Sequence, residues 1–127
     1  MVVVAAVIER ENLILIGQRK RTSNHALKWE FPGGKVESGE DHRAALAREL
    51  KEELGIEATI GPEMDRYEVQ YGDGPQTQLL FFHVTDFRGE PRNLDFEQIA
   101  WATRTALKDY DFLEGDLRFL GLLNSRR

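Results

Sequence analysis

The chain opens on an unbroken apolar run, Val2 to Ile8, β-branched at most positions. Continuity without alternation predicts a strand buried on both faces. "ERENL" breaks the run as a turn, and "LILIGQR", Leu13 to Arg19, reads as the hairpin partner. A polar loop, "KRTSNHALK", follows, and "WEFPGG" is a short extended piece halted by Pro32 and two glycines. From Glu40 to Leu54 the period changes. Leu46, Leu50 and Leu54 recur among Ala, Glu, Lys and Arg, and Gly55 supplies a stop, which predicts an amphipathic helix. Beyond it "IEATIGP", "MDRYEVQYG" and "TQLLFFHVTDF" read as strands, the last two joined by a turn at "GDGP". "RGEPRNLD" is a loop, "EQIAWAT" a short strand, and the tail from Asp116, "DLRFLGLL", an amphipathic helix. The expected architecture is one α+β domain over residues 1–127, a mixed or antiparallel sheet flanked by helices.

Composition narrows the chemistry. With 127 residues, 41% of them apolar, the chain can bury a single core. It has no cysteine, which excludes disulfides, thiolate catalysis and Cys-zinc sites and fits a reducing compartment. The first apolar run meets charge at Glu9, too soon for a membrane span, and lacks a basic start. A cytoplasmic protein with no membrane partner is expected. The formal charge of −5 argues against polymeric nucleic acid as a partner. A small phosphorylated ligand, held by a few cations and a metal, remains compatible with it.

The helix carries an anomaly. Glu49, Glu52 and Glu53 share a face about 100° wide, beside the stripe of Leu46, Leu50 and Leu54. Like charges at these spacings cost roughly 0.2–0.5 kcal/mol per pair in an isolated helix. Arg48 is spaced to pair with Glu52, but the Glu49–Glu52 and Glu49–Glu53 pairs repel. A divalent cation removes that cost, and an all-oxygen donor set favours Mg²⁺ or Mn²⁺ over zinc. Just ahead, Gly33 and Gly34 let the backbone approach a ligand, and Lys35 sets a cation beside it. His25, His42 and His83 show no metal-ligand spacing and read as ordinary residues.

From Gly34 the chain reads glycine, five residues, Glu40, seven residues, then Arg48-Glu49-Leu50-Lys51-Glu52-Glu53-Leu54-Gly55-Ile56. This resembles the Nudix box, G-x5-E-x7-R-E-U-x-E-E-x-G-U with U apolar, at every defined position. "WEFPGGKVESGE" is similar to the segment that enters the box in MutT-like members, and overall length and strand order are similar too. The resemblance implies a Nudix fold, a mixed sheet sandwiched between helices. It also implies metal-dependent hydrolysis of a nucleoside diphosphate linked to another moiety.

By position, the resemblance makes Glu49, Glu52 and Glu53 metal ligands, with the Gly33 carbonyl as a backbone ligand and Arg48 orienting the glutamates. Glu52 and Glu53 are both candidates for the base that takes a proton from water. Glu40 reads structurally, as a first-turn acid favourable to the helix dipole. MutT-like proteins add an acid from a later loop, and "LDFEQIAW" offers Asp95 or Glu97. Arg19 resembles a phosphate-contacting arginine, with Lys35 a second candidate. Phe31, Leu80 and Phe82 are candidates to line a base pocket. Asp116 stands where relatives place a base-recognising Asn or Asp, with helix N-cap as its competing role.

The function expected from the resemblance is a nucleoside triphosphate pyrophosphohydrolase that sanitises oxidised or modified nucleotides such as 8-oxo-dGTP or a modified dCTP. Two other readings stand beside it: hydrolysis of ADP-ribose, a dinucleotide polyphosphate or capped RNA ends, and a non-catalytic nucleotide-sensing domain. The partner is a small nucleotide, and the chain is a monomer or homodimer.

Overall fold

A computed structural model describes residues 1–125. In chain order the elements are β1 (Val2–Arg10), β2 (Leu13–Gln18), β3 (Trp29–Glu30), β4 (Gly33–Lys35), α1 (His42–Leu54), β5 (Glu57–Thr59), β6 (Glu63–Gln70), β7 (Gln76–Val84), β8 (Asp86–Arg88), β9 (Gln98–Ala102) and α2 (Leu117–Ser125). Glu11 and Asn12 turn β1 into β2 at φ 53° and 67°, the paired left-handed residues that a two-residue type I′ hairpin requires. Seven strands form one sheet in the order β3-β2-β1-β7-β6, with β4 also paired to β1 and β9 to β2. β1 runs parallel to β7 while its other pairings are antiparallel, so the sheet is mixed. The expected strand "TQLLFFHVTDF" breaks after Val84, and β8 pairs instead with β5 in a separate ribbon.

The β1 run is buried on both faces, as its continuity predicts. Val4, Ala6 and Ile8 pack with Leu80, Phe82 and Val84 beneath Leu46, Leu50 and Leu54 of α1. Ala5 and Val7 join Leu79 and Phe81 on the opposite face, under Phe119, Leu120 and Leu123 of α2. There the Phe81 and Phe119 rings stack with centroids 4.1 Å apart. The result is the α/β/α sandwich that the resemblance implied. Among the described residues no helix is long and apolar enough to cross a membrane.

Both helix starts differ from expectation. α1 begins at His42, because Asp41 is its N-cap and accepts the Ala44 N–H at 3.1 Å. Gly55, at φ 70°, closes the other end. Asp41→Ala is expected to destabilise the fold by about 1 kcal/mol, read from the urea midpoint; no shift would mean the cap contributes nothing. A short 3₁₀ turn, Glu114–Asp116, precedes α2, and Asp116 does not serve as its cap. The Phe119 N–H donates to the Tyr67 hydroxyl at 3.2 Å, and that hydroxyl donates to the Gly115 carbonyl at 2.7 Å. A tyrosine from β6 therefore does the work assigned to the aspartate, which leaves the Asp116 carboxyl for other partners.

Candidate active site

Two of the three box glutamates turn onto β4. The Gly33 N–H donates to Glu53 Oε1 at 3.2 Å. A Cβ at Gly34 would fall on the Glu49 carboxylate, and one at Gly33 on the Val4 carbonyl. The glycine pair is thus required by close approach. Glu52 points elsewhere, with its side chain 58% exposed. Arg48 grips Glu40 through two hydrogen bonds of 2.8 and 2.9 Å, reaches Glu49 at 3.1 Å, and touches Glu52 only at 3.5 Å. The expected Arg48–Glu52 pair is therefore the weakest of these. Glu40 is not a first-turn acid, since it lies ahead of the cap. Arg48's hydrogen bonds, helped by the Glu37 N–H, hold its carboxyl down at about 2.

The remaining carboxylates repel one another. Shielding from water pushes Glu53 up to about 9, and the charges of Glu49, Glu30 and Asp95 add to the shift. Glu49 is also raised, first by burial, with Arg48 opposing and Glu52 and Asp95 reinforcing. Burial raises Glu30 despite its ion pair with Arg19 at 3.1 Å. Among the described residues no three such groups converge into a closed metal cage. An open, all-oxygen, mutually repelling set suits a small hard cation that keeps several of its waters. The donors fit a divalent metal.

These groups wall one end of a cavity of about 490 Å³, within the size range of small-molecule sites. Its lining includes Arg19, Glu30, Phe31, Gly33, Gly34, Glu49, Glu53, Asp95 and Asp116, so most of the expected site residues meet here. Asp116 is 6% exposed and accepts the Phe31 N–H at 3.3 Å. Burial, then the Glu30 charge, pushes it up to about 8. Arg19 also donates to the Asn24 carbonyl at 2.7 Å. Besides Glu52 and the orienting Arg48, four expectations fall outside the cavity. Leu80 and Phe82 lie on the other face of β7, beneath α1; Leu79 and Phe81 take the lining positions. Glu97 pairs with Arg21 at 3.1 Å, leaving Asp95 as the loop acid on the cavity. Lys35 is exposed at the end of β4. Glu30, Tyr71 and His25 line the cavity without having been singled out as site residues.

A glycine pair pressed against helical carboxylates, joined by one cavity to a buried acid, now has a context among known proteins. The family model described as the NUDIX domain matches residues 1–122. The chain belongs to the Nudix family. A CTP pyrophosphohydrolase of Escherichia coli K12 is 41% identical over 118 residues, covering 93% of this chain and 87% of the relative. An 8-oxo-dGTP diphosphatase of Haemophilus influenzae is 36% identical over 108 residues, covering 83% and 77%. The solution structure of the E. coli ORF135 protein superposes with a TM-score of 0.85 at 40% identity, covering 94% of this chain and 85% of that one. As a Nudix hydrolase the chain works with a divalent metal. Its Nudix box runs from β4, through α1, to just past the Gly55 cap.

Proposed function

We propose that this Nudix hydrolase converts nucleoside triphosphates to the monophosphate and pyrophosphate, with Mg²⁺ as its working cation and oxidised or modified nucleotides as substrates. One observation carries the reading: a single cavity is lined both by the box carboxylates and by the buried Asp116. Water adds to phosphorus, the α–β bridging P–O bond breaks, and pyrophosphate leaves. When bound, Mg²⁺ neutralises phosphate charge and lowers the pKa of water. Glu53, on the cavity, its carboxyl lowered from about 9 and ionised beside the bound cation, takes the water proton in preference to the exposed Glu52. Arg19 exchanges its Glu30 partner for a phosphate oxygen.

Asp116 reads the base. Raised to about 8, its carboxyl is protonated near neutrality and offers one donor beside one acceptor. Cytosine presents a matching acceptor and donor at N3 and N4, as does 8-oxoguanine at O6 and N7–H. On that O6/N7 edge unmodified guanine presents two acceptors, and its own acceptor–donor pair, O6 with N1–H, lies on the other edge. Both matching bases occur in the names of the relatives. The test is pyrophosphate release from CTP, dCTP, a modified dCTP, dGTP and 8-oxo-dGTP, with ADP-ribose and a dinucleotide polyphosphate as competitors. Activity is expected to vanish in EDTA and return with Mg²⁺. Preference for ADP-ribose or the dinucleotide would sink the reading.

A further inference from the structure

We infer that Tyr71, backed by His25, is the face on which the substrate's base stacks, a binding contact supplied from outside the Nudix box. The inference rests on the cavity being a nucleotide site. Tyr71 stands at the turn between β6 and β7, and His25 in the loop between β2 and β3. Their rings meet with centroids 5.0 Å apart at 48°, and both line the cavity that contains Asp116.

The tip of Tyr71 sits beside the base-reading acid. Its hydroxyl lies against Gly115, so close that a Cβ there would land on it. Edge recognition by Asp116 and face recognition by Tyr71 thus come from neighbouring points of one wall. Stacking needs only a π-face, which every base has. Tyr71 therefore sets how tightly a base is held, and Asp116 which base it is.

His25 has a positioning role. It sits at φ 56° and Leu27 at φ 64°, both in the region that non-glycine residues rarely occupy. Unlike Glu11 and Asn12, they belong to no two-residue hairpin. The ring contact is not what anchors this loop. Arg21 to Glu97 at 3.1 Å, Lys28 to Asp111 at 2.9 Å and the Leu27 N–H to the Arg19 carbonyl at 3.0 Å already do so. Neither ring belongs to either core cluster. Backbone strain kept beside a cavity, for a contact the fold does not need, points to ligand binding.

Calorimetric titration with CMP, GMP and 8-oxo-dGMP, against ribose 5-phosphate as the base-free control, tests this. Tyr71→Ala is expected to weaken the nucleotides about tenfold or more and leave ribose 5-phosphate unchanged; Tyr71→Phe keeps wild-type binding. His25→Ala loses part of the effect, and His25→Phe restores it. Gly115→Ala, which crowds the Tyr71 hydroxyl without altering either ring, also weakens the nucleotides selectively. The inference is overturned if Tyr71→Ala and Gly115→Ala, with native circular dichroism, keep wild-type discrimination, or if Tyr71→Phe loses as much as Tyr71→Ala. If discrimination falls as expected but the wild type hydrolyses no triphosphate, the proposed reaction fails and the stacking site stands.

Discussion

Glu53→Gln is expected to lower kcat at least a hundredfold, and to melt no lower than the wild type in metal-free buffer. Both halves follow from the same geometry. Glu53 stands on the cavity wall, takes a hydrogen bond from the Gly33 N–H, and is crowded by Glu49, Glu30 and Asp95. Glutamine keeps the shape and the oxygen that accepts from Gly33, but removes the charge that holds a cation and takes a proton. Without metal the fold keeps this carboxyl protonated, at a pKa of about 9, while the unfolded chain ionises it, and glutamine removes that penalty. A stability gain coupled to lost turnover is the signature of a group retained for chemistry. Pyrophosphate release at saturating Mg²⁺ and thermal melts in EDTA read the two effects. Glu52→Gln should lose less, since that side chain lies largely in solvent. Full turnover by the Glu53 variant would remove this residue from the mechanism.

Asp116→Asn is expected to stabilise the protein increasingly as pH rises, and to hold at high pH the base preference that the wild type loses as Asp116 ionises. The folded-state pKa, about 8, lies above the ordinary value of 3.8. The protonated form is therefore favoured in the fold. Its stabilising contribution is complete below about pH 4, declines through the window up to about 8, and is gone above it. At about 1.4 kcal/mol per pKa unit, the whole window is worth on the order of 5 kcal/mol. Asparagine stays neutral throughout and lacks that slope. The difference between the two chains should be small at pH 5 and several kcal/mol at pH 8.5, measured as urea unfolding free energies. Equal slopes would mean that Asp116 ionises freely. Base preference is read separately, from the ratio of kcat/KM for CTP and 8-oxo-dGTP.

Local patterns carried much of this fold. The box spacing, Gly55 as a helix stop, and the period of leucines in α1 all act within a few residues, and all appear where expected. Leu80 and Phe82 show where that legibility ends. "LLFF" is apolar at four consecutive positions, so alternation cannot say which pair faces which helix. Pairing with β1 decides it, placing Leu79 and Phe81 toward α2 and the other two toward α1. Asp116 failed as a cap for a similar reason: the Tyr67 hydroxyl, distant in sequence, had already taken the helix N–H. Glu30 sits between two aromatics in "WEF", where alternation suggests a solvent-facing acid. Its ion pair with Arg19 and its place on the cavity exist only once the strands are assembled.

The segment bearing Asp95 is held to α1 by main-chain atoms. The Arg92 N–H donates to the Leu54 carbonyl at 2.9 Å and the Leu94 N–H to the Glu53 carbonyl at 3.0 Å. The gap between the loop acid and the helical glutamates is therefore written into peptide groups. Descendants of this chain are free to exchange the side chains at 92 and 94 without moving the acid. One residue inserted between Leu94 and Asp95 would carry it off the cleft. Divergence in this loop is thereby channelled toward substitution and away from changes of length.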